Sequence, residues 1–222
     1  MHRTRKEART HDHKKHRLPG DFSLSSSKNA RLVEDKHEQI VAGACEVFFE
    51  KGFHPTTTRD LAEACGMSIG QLYHYISSKD DVLYLVHKHM IGLWQDYLRS
   101  SMVERIVDPI EKLTAALRSS LDFIYENRKL FQFIFTEIKN LDTARLRTIL
   151  TLDYENIVEF WHDLLLAAND RKPIKGDIEL LSNQIAFFQL FQPLRGWTVK
   201  HRSPGETRDN MVDFILRGLG LL

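Results

Sequence analysis

Twenty-four residues from Thr57 to Asp80, TTRDLAEACGMSIGQLYHYISSKD, constrain this chain more than any other stretch. Thr57 can cap a helix with Asp60 at its third position, and Ser68 can cap the next with Gln71 three residues on, so each start has the reciprocal pairing of a capping box. Cys65, Gly66 and Met67 make the connection, with Gly66 where the first helix must stop and the chain turn sharply. Two helices joined by so short a glycine turn form a helix-turn-helix unit, whose second helix lies in the major groove of DNA.

The apolar positions Leu61, Ala62, Ala64, Cys65, Ile69, Leu72 and Ile76 are expected to face the core. Ser68, Gly70, Gln71, Tyr73, His74 and Tyr75 are then left outward, available to DNA. Tyr73 and His74 can equally be plain surface aromatics, and Gln71 either pairs with adenine or only completes its capping box. The second helix contains no Lys or Arg, so phosphate contacts must come from elsewhere. Arg59, Lys79 and the Thr57 helix start are the candidates within the unit.

At these residues the chain resembles the tetracycline-repressor (TetR) family of bacterial transcription regulators. The resemblance lies in Gly52-Phe53, Thr56-Thr57, Leu61-Ala62, Gly66-Met67-Ser68, Leu72-Tyr73-His74-Tyr75-Ile76 and Lys79-Asp80, across roughly residues 36 to 85. Ile76 stands where the family usually has Phe, an apolar replacement in the core of a small domain. The resemblance implies an all-α chain: a three-helix DNA-binding domain, here residues 34–80, then a helical effector-binding and dimerisation domain, residues 81–222. It also implies a repressor that binds DNA as a homodimer.

Apolar spacing at Ile40, Val41, Ala44, Val47 and Phe48 marks the first helix, which Gly52 ends. Residues 1–33 hold few apolar side chains and are expected to be a disordered basic arm. In its first twenty residues Arg3, Arg5, Lys6, Arg9, Lys14, Lys15 and Arg17 stand against Glu7 and Asp12. That segment is +5 in a chain whose total is +1, which leaves −4 on the remainder. Such an arm either follows the phosphate backbone or enters the minor groove, or it is a solubilising tail. His11, His13 and His16 lack supporting carboxylates or thiols, so no metal site is read there. With no membrane-spanning apolar run and no secretory signal, the expected location is the cytoplasm. Cys45 and Cys65 read as small buried thiols, with a redox switch the alternative.

Beyond Ser78 the pattern stays helical. Asp108-Pro109-Ile110-Glu111 and Ser203-Pro204-Gly205-Glu206 are strong helix starts, and helices are expected over about 143–168 and 177–199, in a bundle of about six. The apolar last two long helices suit the family's four-helix dimer interface, with Phe187, Phe191, Met211, Phe214 and Ile215 as its residues. Two-fold symmetry then predicts a palindromic operator. The same helices suit a protein-binding adaptor with only non-specific DNA affinity, which is the alternative function.

Phe123, Phe131, Phe135, Trp161 and Phe188 can line an apolar effector cavity, or form an ordinary aromatic core. Pro193 should kink its helix, and just around it Gln192, Arg195 and Trp197 offer an amide, a guanidinium and a stacking surface suited to an anionic, partly aromatic ligand. Tyr125-Glu126-Asn127-Arg128 with Leu130-Phe131, and Leu194-Arg195-Gly196-Trp197, are similar to TetR-family regulators of fatty-acid and aromatic-acid degradation. That resemblance implies an acyl-coenzyme A effector, against a hydrophobic drug-like molecule or none. No cofactor is expected, and there is no phosphate loop, nucleophile elbow or His-Glu-x-x-His pair to suggest an enzyme.

Overall fold

A computed structural model describes residues 27–222, and among these the chain is all-α, without a strand. The first helix, α1, runs Ser27–Lys51 and so starts seven residues before the expected Glu34. The rest of the basic arm, with its histidines, lies outside the described residues.

α2 (Thr58–Ala64) and α3 (Ile69–Tyr75) are the two short helices of the reading pair, and both capping boxes form as their sequences require. Gly66 turns between them at φ +62°, a left-handed conformation that favours glycine. α1 packs behind both. Its own glycine, Gly43, permits a very close approach, since a Cβ there would lie 2.8 Å from the Ala64 carbonyl carbon. From the same helix Gln39 donates to the Cys65 carbonyl and so satisfies an orphan acceptor at the end of α2. Leu61, Ala62, Cys65, Leu72 and Ile76 are buried as expected. Ile69 is not: at the first position of α3 it is 40% exposed, and Ala64 is only half-buried.

α4 (Lys79–Ser100) leaves this domain and enters the second. Asp81 accepts from the backbone amides of Ser77 and Ser78 at 2.8 and 2.9 Å. The Ser78 hydroxyl accepts instead from Arg145. The bundle continues through α5 (Pro109–Glu126), α6 (Arg128–Glu137) and α7 (Thr143–Asp153). Next come α8 (Glu159–Arg171), α9 (Ile178–Phe188), the short α10 (Phe191–Arg195) and α11 (Pro204–Gly218).

Two expected helices are interrupted. Between α7 and α8 a π turn spans Tyr154–Val158. Such one-residue insertions recur at functional sites. The helix from Asp177 breaks after Phe188, four to five residues before Pro193, whose missing N–H denies the Gln189 carbonyl its helical partner. A 3-10 turn over Gly196–Val199 completes that region.

Trp161 lies fully buried at the centre of the bundle, and Trp94 donates to the Ser120 hydroxyl at 2.8 Å, tying α4 to α5. Phe187 and Phe214 are 63% and 64% exposed, with Phe188 stacked on Phe214 at 5.3 Å, so an aromatic patch lies open on α9 and α11. Met211 and Ile215, expected beside them, lie on the adjoining stripe of α11 and are buried within the protomer, at 4% and 7% exposure.

Candidate DNA-reading face and effector cavity

The outward face of α3 carries what the sequence placed there. Ser68, Gly70, Gln71, Tyr73 and His74 are exposed and Tyr75 is half-buried, its ring edge-on to His74 at 5.2 Å. Gln71 is already engaged, its Oε1 accepting the Ser68 amide at 2.9 Å, which leaves the amide nitrogen of its side chain to address a base. Thr57 is engaged as well: its hydroxyl and backbone amide both donate to Asp60, at 2.6 and 2.8 Å. These bonds, with Lys51 at 2.9 Å, hold the Asp60 carboxyl well below the ordinary carboxylate range. Arg59 is exposed on α2.

Lys79 does not face outward. Its ammonium donates to the carbonyls of Phe53, His54 and Thr56 at 2.9, 3.1 and 3.0 Å, which uses all three of its hydrogens. It clamps the loop before α2, and those partners lie 23 to 26 residues away, beyond local spacing.

A cavity of about 460 Å³ opens within the bundle, the size of a small-ligand site. α4 contributes His87, Met90 and Trp94; α6 contributes Phe131, Ile134 and Phe135; the π turn contributes Tyr154, Ile157 and Val158. Trp161 of α8 also lines it, and Phe187 and Gln189 border it from the end of α9. Of the expected effector residues, Phe131, Phe135 and Trp161 therefore reach it. Phe123 is instead buried against Tyr97 and Phe131, and Phe188 stacks on Phe214. Gln192, Arg195 and Trp197 lie outside the lining, because the break after Phe188 turns α10 away; Trp197 is 71% exposed beneath the Arg195 guanidinium.

The cavity's main polar feature joins residues too distant in the chain for spacing to reveal. His87 Nε2 meets Asp153 Oδ1 at 2.6 Å across 66 residues, joining α4 to the end of α7. About two turns nearer the DNA-reading domain, Arg145 Nε donates to Asp81 Oδ1 at 3.1 Å, a second tie between the same two helices. α6 is also two-sided: Phe133 stacks on Phe48 of α1 at 5.3 Å, while Phe131, Ile134 and Phe135 line the cavity. Helices that bound the cavity therefore also bound the reading domain.

Burial pushes the Cys45 thiol up to about 11 and raises that of Cys65, which disfavours the thiolate at both. No described helix is long and apolar enough to cross a membrane.

Residues 40–84 match the family described as "Bacterial regulatory proteins, tetR family". The HTH-type transcriptional regulator HbdR of Aromatoleum sp. (strain CIB) is 24% identical over 192 residues, 86% of this chain and 81% of that protein. Among the solved structures that share the fold are two ligand complexes. The transcriptional regulator FadR from Bacillus subtilis, in complex with stearoyl-CoA, superposes with a TM-score of 0.68 at 16% identity, over 82% of this chain and 98% of that one. AibR, in complex with isovaleryl coenzyme A and operator DNA, gives 0.62 at 20%, over 81% and 97%.

Proposed function

The chain belongs to the TetR family of bacterial regulatory proteins, and from that premise we propose that it is a repressor that binds a palindromic operator as a homodimer and is released by an acyl-coenzyme A thioester. The observation that carries this reading is the sharing of walls: α4 and α6 line the cavity and also pack against the reading domain. A ligand that spreads the cavity acts on both helices and changes the separation of two reading heads, provided it binds the two arrangements with different affinity. Three features support the details. α3 presents Tyr73 and His74 outward; the aromatic patch of Phe187 and Phe214 suits self-association; and proteins of similar fold hold acyl-coenzyme A, one of them with operator DNA.

The experiment is selection of a random duplex library by the purified protein at near-physiological salt. The expected result is a palindrome with half-sites one helical turn or a multiple apart, followed by loss of that complex on adding acyl-coenzyme A. Recovery without sequence enrichment would favour the adaptor instead.

A further inference from the structure

Three side-chain polar atoms are buried without a partner among the described residues: His87 Nδ1, Trp161 Nε1 and Gln189 Oε1. All three side chains line the one cavity of about 460 Å³. Their residues are 3%, 0% and 2% exposed, so bulk water does not satisfy them. Buried polar groups without partners are rare and costly, and three around one apolar space mark what that space is built to receive.

Their neighbours constrain their hydrogen-bonding characters. The Asp153 carboxylate can only accept, so His87 Nε2 carries a proton; Nδ1 then accepts in the neutral ring and donates in the imidazolium. Gln189 Nε2 donates to the Ile185 carbonyl at 3.1 Å, which sets the amide's orientation and leaves Oε1 as an acceptor. The Trp161 indole can only donate. Gln189 thus supplies an acceptor, Trp161 a donor and His87 either one, all just behind walls of Phe131, Ile134, Ile157 and Val158 and shielded from the cavity as the side chains stand, so a ligand group reaches them as those side chains turn.

We propose that the cavity selects an acyl group bearing a hydroxyl on its chain or ring, over the plain hydrocarbon. A hydroxyl donates to His87 or Gln189 and accepts from Trp161, whereas a methylene at the same place leaves those groups unpaired in a drier cavity. A polar site of this kind discriminates against the analogue lacking the hydroxyl much more strongly than an apolar pocket discriminates by size. The inference rests on the acyl-thioester reading above and deepens it by naming the acyl class.

The test compares decanoyl-coenzyme A with its monohydroxylated positional isomers, by titration calorimetry and by quenching of the cavity tryptophans Trp94 and Trp161. At least one isomer is expected to bind about tenfold or more tightly than the parent, with its advantage reduced to about threefold or less in Gln189→Met. Gln189→Met is checked for folding by retained operator binding, and His87→Gln provides a second variant should it fail. Binding of the parent as tight as that of every isomer, or a preference unchanged in the variants, would overturn the proposal while leaving the acyl-thioester effector standing. If no thioester binds at all, both readings fall together.

Discussion

The Lys79 ammonium sits 4.4 Å from the centre of the Phe53 ring, with its three hydrogens on the carbonyls that lead into α2. A residue placed by its sequence position to meet a phosphate is instead the clamp that holds the loop between α1 and α2. Lys79→Met should lower the stability of the reading domain by about 2 kcal/mol, from the lost charge-assisted bonds and cation–π contact. The salt dependence of operator binding separates the roles. Its slope should be unchanged in the variant, whereas loss of a phosphate contact would reduce it by about one.

Gly43 and Gly92 make a matched pair. At Gly43 a methyl group meets α2 backbone, and Gly43→Ala should cost about 1–3 kcal/mol through overpacking. At Gly92, in α4, nothing lies within 4 Å of an added Cβ, and Gly92→Ala should stabilise by up to about 1 kcal/mol. Urea midpoints of the two variants are expected to move in opposite directions.

Tyr73 is 46% exposed and His74 is exposed on the same face of α3. Alanine at either position should weaken operator binding by about 1–3 kcal/mol and alter thermal stability by less than about 0.5 kcal/mol. Equal loss on operator and random DNA would instead assign these side chains to the backbone.

Phe214 and Met211 test the association surface. Phe214→Asp should convert a dimer to a monomer in sedimentation velocity with the helical content intact, since the ring is largely exposed in the single chain. Met211→Ala, inside the protomer core, should cost about 2–5 kcal/mol of folding stability.

Acid should loosen the helix starts. Bonds from the Ser203 amide and hydroxyl hold the Glu206 carboxyl below its ordinary 4.5, and those from Arg145 do the same for Asp142. A carboxyl depressed in the folded state stabilises fully above its unfolded value, and that contribution disappears as pH falls through the folded one. Thermal midpoints should therefore decline from about pH 5 to pH 3, and Glu206→Gln should make that decline shallower. A decline of the same steepness in the variant would remove Glu206 from the cause.

Features set by neighbours in the sequence were legible in it. The capping boxes at Thr57, Ser68 and Ser203, the Asp108 cap with Pro109, and the left-handed Gly52 and Gly66 all follow from residues within a few positions of one another. What depends on helices meeting in space was not. Periodicity marks Phe123 and Phe131 alike as apolar, and only packing makes one a core residue and the other a cavity wall. His87 has His89 two residues away in the sequence, while its partner, Asp153, stands 66 residues on. Arg195 and Trp197 looked like a ligand site because their chemistry suits one, but the break at α9 carries them out of the cavity. The same limit hid Gly43, whose glycine is required by a helix it meets only after folding.

α6 is ten residues long, with the cavity against Phe131, Ile134 and Phe135 and the back of the reading domain against Phe133. A helix is about 10 Å across, so whatever occupies the cavity lies one helix width from α1. This shared partition limits how the chain can evolve. A substitution that reshapes the cavity for a new effector also alters the surface on which the reading domain rests, so ligand preference and basal DNA affinity are expected to drift together. Gln132 and Thr136, both turned to solvent, are among the positions on this helix where change escapes that bargain.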